Sequence, residues 1–478
     1  MQLAIPLSRR GEPLSRQLYF WLRQATLEGT LRAGERLPST RDLADQLRIS
    51  RTVVVLAYEQ LLAEGFVTGR TGSGTYVSPG LGSGRRTTSA DSAKLRLSRF
   101  GSATAAAGEK LDFSRPRQAP LLYDFAYRRA PVQEFPFETW RRILVRRARK
   151  ASLRELDYGP PAGSLALREA ITAHLQRSRA VVCDAGQVII VNGSQQALDL
   201  IARVLIERGD RVVIEDPQYQ GAHQIFQAAG ARLYPVPVDR DGLDPAKLPR
   251  TGRLAFVTPS HQFPTGAVLP LARRLELLQW AKRVNAVVIE DDYDGEFRYE
   301  GHPVESMQGL DTEGRVIYVG TFSRTIFPAL RIGYMIAPKR LVAALTAAKW
   351  FSDRHTPTLE QETLAEFISM GAYERHLRRA RKANALRRRA LLKAIERYLG
   401  NRAEITGDGA GAHIVLWPRT SDFEEAIIAR AASDGVGVYP VSPYFLKRNK
   451  RIGLMLGYSR MNESEIREGV RRLGEAIG

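Results

Sequence analysis

The chain has 478 residues, 44% hydrophobic and 26% charged, a composition that suits two or three globular domains and excludes a disordered or fibrous chain. Lysine and arginine total 71 against 51 acidic residues; the formal net charge of +20 argues against an acidic enzyme and makes a polyanionic partner the expectation. A single cysteine, Cys183, excludes a disulfide framework and a cysteine-based zinc cluster, and no metal site is expected. No apolar run reaches the roughly 18 residues needed to span a bilayer, and the first residues carry no secretory pattern, so the expected location is the cytoplasm, with no membrane partner.

In chain order, residues 11–78 read as a compact unit. A first helix, about 14–28, places Leu18, Trp21, Leu22 and Ala25 at helical spacing. A turn at Ala33-Gly34 follows, and then a second helix beginning near Thr40 with Ser39 as its cap. A third helix is capped by Ser50 and carries Val54, Ala57, Tyr58 and Leu61 on one side. The segment GFVTGRTGSGTYV closes the unit as a small hairpin. Three helices and a hairpin make a winged helix-turn-helix, whose third helix enters the DNA major groove. On that plan Ser50, Arg51 and Thr52 reach base edges, and Ser39, Thr40 and Arg41 hold phosphates. Arg70, Gly72 and Ser73 at the wing lie on the adjacent backbone or minor groove.

Residues 79–120, rich in Gly, Ser, Ala and Thr, are expected to form a flexible linker with a reach of roughly 35 Å by random-coil scaling. From 121 to 478 short apolar runs alternate with helical patterns: VIIVNG (188–193), RVVIED (211–216), LAFVTP (254–259), AVVIEDD (286–292) and VIYVGT (316–321). Buried strands separated by helix-length segments predict an α/β domain with a mostly parallel sheet. AHIVLW (412–417) and GLMLGY (453–458) suggest a smaller α+β subdomain after it.

Several strand ends carry chemistry. Ser194 and Gln195 follow a glycine at the start of a helix, where backbone N–H groups can cradle a phosphate. Tyr219, Asp291 and Tyr293 lie just beyond strand ends, where ligands gather in open α/β sheets. Thr321, Ser323 and Arg324 end another strand, and Arg331 follows. Each segment alone can equally be a cap or turn. His261 stands either as a polar contact near this site or as a satisfied structural histidine.

The run PSTRDLADQLRISRTVVVLAYEQLLAEGFVTGRTGSGTYV resembles the GntR family of bacterial repressors. The segments YGPPAGSLALREAI, NGSQQALDLIARVL, SHQFPTGAVLP, EDDYDGEFRY and FSRTIFPALRIGY resemble type I pyridoxal-phosphate (PLP) aminotransferases, and the two together resemble the MocR/GabR group of regulators. That resemblance implies a homodimer binding two double-stranded DNA half-sites. It also implies a pocket in which Asp291 pairs with the pyridine nitrogen, Tyr293 with the ring hydroxyl and Tyr219 with the ring face. Ser194, Gln195 and Arg331 would hold the phosphate, beside Thr321 and Ser323.

The departure is at Arg324, where the family has the lysine that forms a Schiff base with PLP. A guanidinium stays protonated and is no amine nucleophile, so no catalytic residue is assigned. None of the 11 lysines falls within the motif; Lys339 is placed in a loop beyond the next strand. Three ligand readings stay open: PLP or its amine form held non-covalently, another small anionic effector paired with Arg324, or an inert dimerisation scaffold. The competing class is a PLP-dependent aminotransferase with a DNA-binding appendage. In related proteins a C-terminal arginine grips a substrate carboxylate, and Arg451 and Arg460 flank the strand where it would lie. Residues 1–80 carry 10 basic and 7 acidic side chains, only +3, whereas 373–397 carries 10 and 2. That run is either a solvated helix face or a set of auxiliary phosphate contacts.

Overall fold

The computed structural model describes residues 3–8, 11–70, 72–79, 96–111, 121–127, 130–153, 155–299, 305–447 and 451–478. They divide into two compact units, 1–96 and 97–478. No helix among the described residues is long and apolar enough to cross a membrane.

The first unit holds helices Leu14–Leu27, Thr40–Leu47 and Arg51–Ala63 and the hairpin Val67–Arg70 with Gly74–Val77. Ser39 caps the second helix by accepting from the Asp42 N–H, and Arg48 ends it in the left-handed region at φ 52°. Ser50 occupies the cap position of the third helix but makes no side-chain capping bond. The residues spaced along one side of each helix meet in a single core of Leu18, Leu22, Leu43, Val54, Ala57 and Leu61. At roughly 1.5–3 kcal/mol per buried large aliphatic side chain, this core is what holds three short helices together. Leu3 and Ile5 also join it, so the unit begins before residue 11, where the sequence pattern places its start.

Part of the expected linker is ordered. Arg99–Leu111 is an α-helix, packed on the helix Gln220–Ala228. Its alanines, counted with Gly, Ser and Thr in the expected flexible linker, have the highest intrinsic helix propensity. Residues 80–95 and 112–120 lie outside the described residues, as does Thr71 in the wing.

The second unit is built on an eight-stranded sheet in the order Val188–Val191, Gly333–Ile336, Val316–Thr321, Val287–Asp292, Leu254–Val257, Arg211–Asp216, Arg232–Asp239 and Gly242–Leu243. Neighbours are parallel from Val316–Thr321 through to Arg232–Asp239. Gly333–Ile336 runs antiparallel to both strands beside it. Most strands of the sheet are buried along nearly their whole length, as expected for a sheet covered on both faces. One apolar cluster, with Leu198, Ile201 and Phe226, covers one face; another, with Leu277, Trp280 and Ala281, covers the other. A smaller four-stranded sheet of Ala403–Thr406, His413–Pro418, Leu454–Gly457 and Tyr439–Pro440 is antiparallel and packs with Leu391, Ile395, Val470 and Leu473.

Candidate functional site

In the first unit, Ser50, Arg51 and Thr52 are exposed at the N-terminus of the third helix, and Arg41 is exposed on the second. The Arg51 Nε donates to the Thr40 hydroxyl at 3.3 Å, which joins the two helices' N-terminal ends. The Ser39 hydroxyl also donates to Asp42 at 2.7 Å, so its first role is the cap. In the wing, Arg70 stacks on the Tyr76 ring at 4.8 Å, and Ser73 hydrogen-bonds the Tyr76 hydroxyl at 2.7 Å. Gly72 turns the hairpin at φ 73°. All nine predicted contact residues therefore sit on the second helix, the third helix or the wing.

In the second unit, the strand ends bring the other predicted residues to one cleft of about 330 Å³. Its lining includes Ser194, Gln195, Tyr219, Asp291, Tyr293, Thr321, Ser323, Arg324 and Arg331, together with Tyr127, Gly193, Thr258, Phe263 and Pro328. The cleft lies at the carboxyl ends of the parallel strands, as open α/β sheets predict.

One end is an anion cradle. The helix Ser194–Leu205 starts here, and its first N–H groups have no intrahelical acceptor. Gly193 precedes it at φ 89°; a Cβ there would stand 3.0 Å from the Arg331 guanidinium. Arg331, itself left-handed at φ 53°, donates from Nη2 to the Asn192 carbonyl at 2.6 Å, which holds its charge over the helix start. The Tyr219 hydroxyl donates to Gln195 Oε1 at 3.0 Å, so Gln195 is turned towards Tyr219. The Thr321 hydroxyl donates to the Ser323 hydroxyl at 3.0 Å.

The opposite end is acidic. Asp291 is buried, and its Oδ1 meets no hydrogen-bond partner among the described residues. Burial, reinforced by Asp292 and Asp294, pushes its carboxyl up to about 8. Burial also raises the Tyr293 phenol, with Asp294 adding to the effect. The neighbouring Asp292 is paired with Arg179 Nε at 2.7 Å, both side chains almost fully buried, and accepts from the Tyr318 hydroxyl at 2.5 Å. Behind Tyr293, His261 Nδ1 lies 3.0 Å from the Tyr293 hydroxyl and 3.0 Å from Asp294 Oδ2. His261 is thus a second layer behind the cleft. With His413, its ring and Asp294 form a buried trio whose ligand atoms lie within 4.8 Å of one another. Burial holds His413 neutral, down to about 3, and its Nε2 hydrogen-bonds the Pro264 carbonyl at 3.0 Å.

The raised Asp291 carboxyl makes a pH prediction. Unfolded, it ionises near about 4; folded, it keeps its proton to about 8. Its contribution to stability is therefore full below the lower value and is lost as pH rises through the upper, at about 1.4 kcal/mol per pH unit. Asp291→Asn should flatten the fall in melting temperature between about pH 5 and 8. Parallel curves for the two proteins would mean that the folded carboxyl is ionised.

Arg324 lines the cleft between these ends. Its Nη1 donates to the Tyr127 carbonyl at 2.5 Å, and its guanidinium lies 5.7 Å from the centre of the Tyr293 ring. No lysine lines the cleft among the described residues. Lys349 is fully buried nearby and pairs with Asp353 at 2.6 Å. Asp353 in turn accepts from Asn192 and Gln196, both at 2.7 Å, behind the anion cradle. Lys339 is the first residue of the helix Lys339–Asp353, rather than a loop residue, and pairs with Asp184 at 3.2 Å.

Two expectations need correction. Arg451 turns outward to Glu404 and stacks on Trp417, and Arg460 is exposed, so neither lines the cleft. The side chain that their strand packs among Tyr127, Phe263 and Tyr444 is Met455. The basic run 373–397 is also not one solvated face. Within the helix Ala372–Tyr398, Arg387 is largely buried, pairing with Glu134 at 2.6 Å and donating to the Met461 carbonyl at 3.0 Å. Arg388 bonds the Asp408 carbonyl, and Arg381 donates to the Glu296 carbonyl at 3.0 Å, whereas Arg378 and Arg379 stay exposed.

Tyr127, Thr258 and Phe263 are lining residues absent from the predicted set. Thr258 and Phe263 stand in quoted segments, but nothing local distinguishes them. Tyr127 has no motif and reaches the cleft only through the fold.

Comparison with known proteins agrees with this division. Residues 14–77 match the family of bacterial regulatory proteins, gntR family, and residues 131–473 match aminotransferase class I and II. The probable rhizopine catabolism regulatory protein MocR of Rhizobium meliloti is 39% identical, covering 97% of this chain and 94% of its own length. The HTH-type pyridoxine biosynthesis transcriptional regulator PdxR of Corynebacterium glutamicum is 30% identical, covering 96% and 95%. The crystal structure of Pyrococcus horikoshii kynurenine aminotransferase in complex with PMP superposes with a TM-score of 0.70 at 30% identity, covering 82% of this chain and 97% of that one. A GntR winged helix joined to a class I and II aminotransferase fold, matched along its length by such regulators, makes this chain a transcriptional regulator of the MocR type.

Proposed function

We propose that the protein is a homodimeric, ligand-responsive regulator whose cleft holds a phosphorylated pyridine without a covalent bond. The observation that carries this reading is the buried, unpartnered Asp291 Oδ1 at one end of a cleft whose other end is a helix N-terminus covered by Arg331. A pyridine nitrogen suits the first and a phosphate the second. The residues therefore fit PLP and its relatives. Asp291 would meet the ring nitrogen, Tyr293 the ring hydroxyl and Tyr219 the ring face, while Ser194, Gln195 and Arg331 would hold the phosphate beside Thr321 and Ser323. When bound to an amine, PLP supplies an electron sink for carbanion chemistry; attachment to the protein needs a neutral amine, which Arg324 does not offer. That argues for sensing over transamination. A relative that bears the name of a pyridoxine biosynthesis regulator and a structural neighbour in complex with PMP support the same ligand class.

A dimer is supported by apolar surface on the second unit. Leu153, Tyr158 and Phe351 are 88%, 82% and 78% exposed, and Trp350 and Phe351 flank a hollow with Val342 and Ala343. Patches of this kind mark interfaces. Two winged helices in a dimer read two half-sites on duplex DNA through Ser39, Thr40, Arg41, Ser50, Arg51, Thr52, Arg70, Gly72 and Ser73. A ligand alters that binding only by preferring one arrangement of the dimer. Native mass spectrometry of the full chain purified from its host should show two chains carrying a phosphorylated pyridine. Monomers with no retained mass, and no mass gained on adding PLP, would contradict the reading.

A further inference from the structure

The Arg324 side chain is not accounted for by a cleft that merely holds PLP. Its guanidinium carries five N–H donors, of which one is used among the described residues, on the Tyr127 carbonyl. No carboxylate lies within ion-pairing distance of it among the described residues. Asp291, the acid of the lining, makes no ion pair with it; burial, Asp292 and Asp294 push that carboxyl up, and the Arg324 charge pulls it down. A permanent cation thus lies in a half-buried site with no ion-paired carboxylate among the described residues, which favours an anionic partner there.

The ring's own connectivity says where that partner belongs. A pyridine with its nitrogen at Asp291, its 3-oxygen at Tyr293 and its 5-phosphate at Ser194 and Arg331 carries its 4-substituent between the last two. Arg324 is the remaining cation of the lining, beside Tyr293.

We propose that Arg324 makes this cleft selective for a ligand with two anionic groups, a phosphorylated 3-hydroxypyridine whose 4-substituent is a carboxylate. This rests on the phosphopyridine reading of the same cleft. A carboxylate accepts two N–H bonds from the planar guanidinium, whereas an aldehyde offers one neutral acceptor and an aminomethyl group brings a repelled cation. A ligand of this class is formed when the aldehyde of PLP, hydrated by water, gives up two electrons and a proton to a nicotinamide-type acceptor, an aldehyde dehydrogenation. The absence of Arg451 and Arg460 from the lining agrees with a ligand that carries no amino-acid carboxylate on the far side.

Isothermal titration of the full-length protein with three probes tests this: 4-pyridoxic acid 5′-phosphate, PLP and pyridoxamine 5′-phosphate. The 4-carboxylate should bind about 10- to 100-fold more tightly than PLP, as expected for charge-assisted hydrogen bonds, and the amine should bind weakest. Arg324→Gln should equalise the carboxylate and the aldehyde. Arg324→Lys should reverse the order: its amine replaces the aldehyde oxygen with a carbon–nitrogen double bond, water leaves, and a visible absorbance band appears. PLP binding as tightly as the 4-carboxylate to the unaltered protein overturns the proposal while leaving the phosphopyridine reading intact. Failure of all three to bind overturns both. The comparison on the unaltered protein holds even if a variant does not fold.

Discussion

Arg179→Met should destabilise the second unit by about 3–5 kcal/mol, the cost of leaving one member of a buried ion pair behind. Arg179 and Asp292 are 5% and 3% exposed at the side chain, so little water is available to solvate the surviving carboxylate. The change also removes the Arg179 Nη2 contact to Ser260 at 2.5 Å. Asp292 adjoins Asp291 in the strand Val287–Asp292, so loss of its partner reaches the ligand cleft directly. Denaturant unfolding of the second unit is the measurement. The double change Arg179→Met with Asp292→Asn should recover part of the loss, because the orphaned charge is gone. A single variant as stable as the parent would show that Asp292 is held by Tyr318 alone.

Arg51→Ala should weaken binding to the protein's own operator by about 1–3 kcal/mol, roughly 5- to 150-fold, and relax the sequence preference at one position in each half-site. The side chain is exposed at the N-terminus of the third helix, where its one side-chain hydrogen bond among the described residues is a 3.3 Å contact to Thr40, so its removal should leave the fold unchanged. Arg70→Ala in the wing is the control for a phosphate contact. It should weaken binding on all sequences alike and lower the salt slope by about one unit. Fluorescence anisotropy across a salt series separates the two. Equal losses on operator and random DNA for both variants would remove Arg51 from base readout.

Much of this fold is written in local patterns. Val316–Thr321 is a β-rich run that follows the charged Arg315, and the structure forms it as a fully buried strand over the same six residues. The cleft residues were legible for a related reason: a ligand site of a parallel sheet collects the residues just past the strand ends, and these follow apolar runs in sequence. The strand Arg232–Asp239 was not singled out because Pro235 and Pro237 interrupt its pattern, and proline removes a ladder donor. The helix Arg99–Leu111 was hidden by the Gly- and Ser-rich residues around it. Other features depend on distant segments meeting. Tyr127 joins Arg324 across 197 positions, and His261, Asp294 and His413 converge from two strand ends and the small sheet. Arg387 looks like surface charge until Glu134, 253 residues away, is placed against it. No local period encodes such pairs.

A ligand-responsive regulator requires that the cleft and the operator be coupled through one molecule. The most direct test of that coupling is the operator dissociation constant of the full-length protein with and without saturating phosphopyridine, with ligand occupancy confirmed in the same sample. Coupling of about 1–3 kcal/mol predicts a change of roughly 5- to 150-fold, lost in a variant with Arg331→Ala and Asp291→Ala, which no longer holds the ligand. An operator affinity identical in the liganded and unliganded protein would contradict the account and leave the aminotransferase fold as a dimerisation scaffold alone.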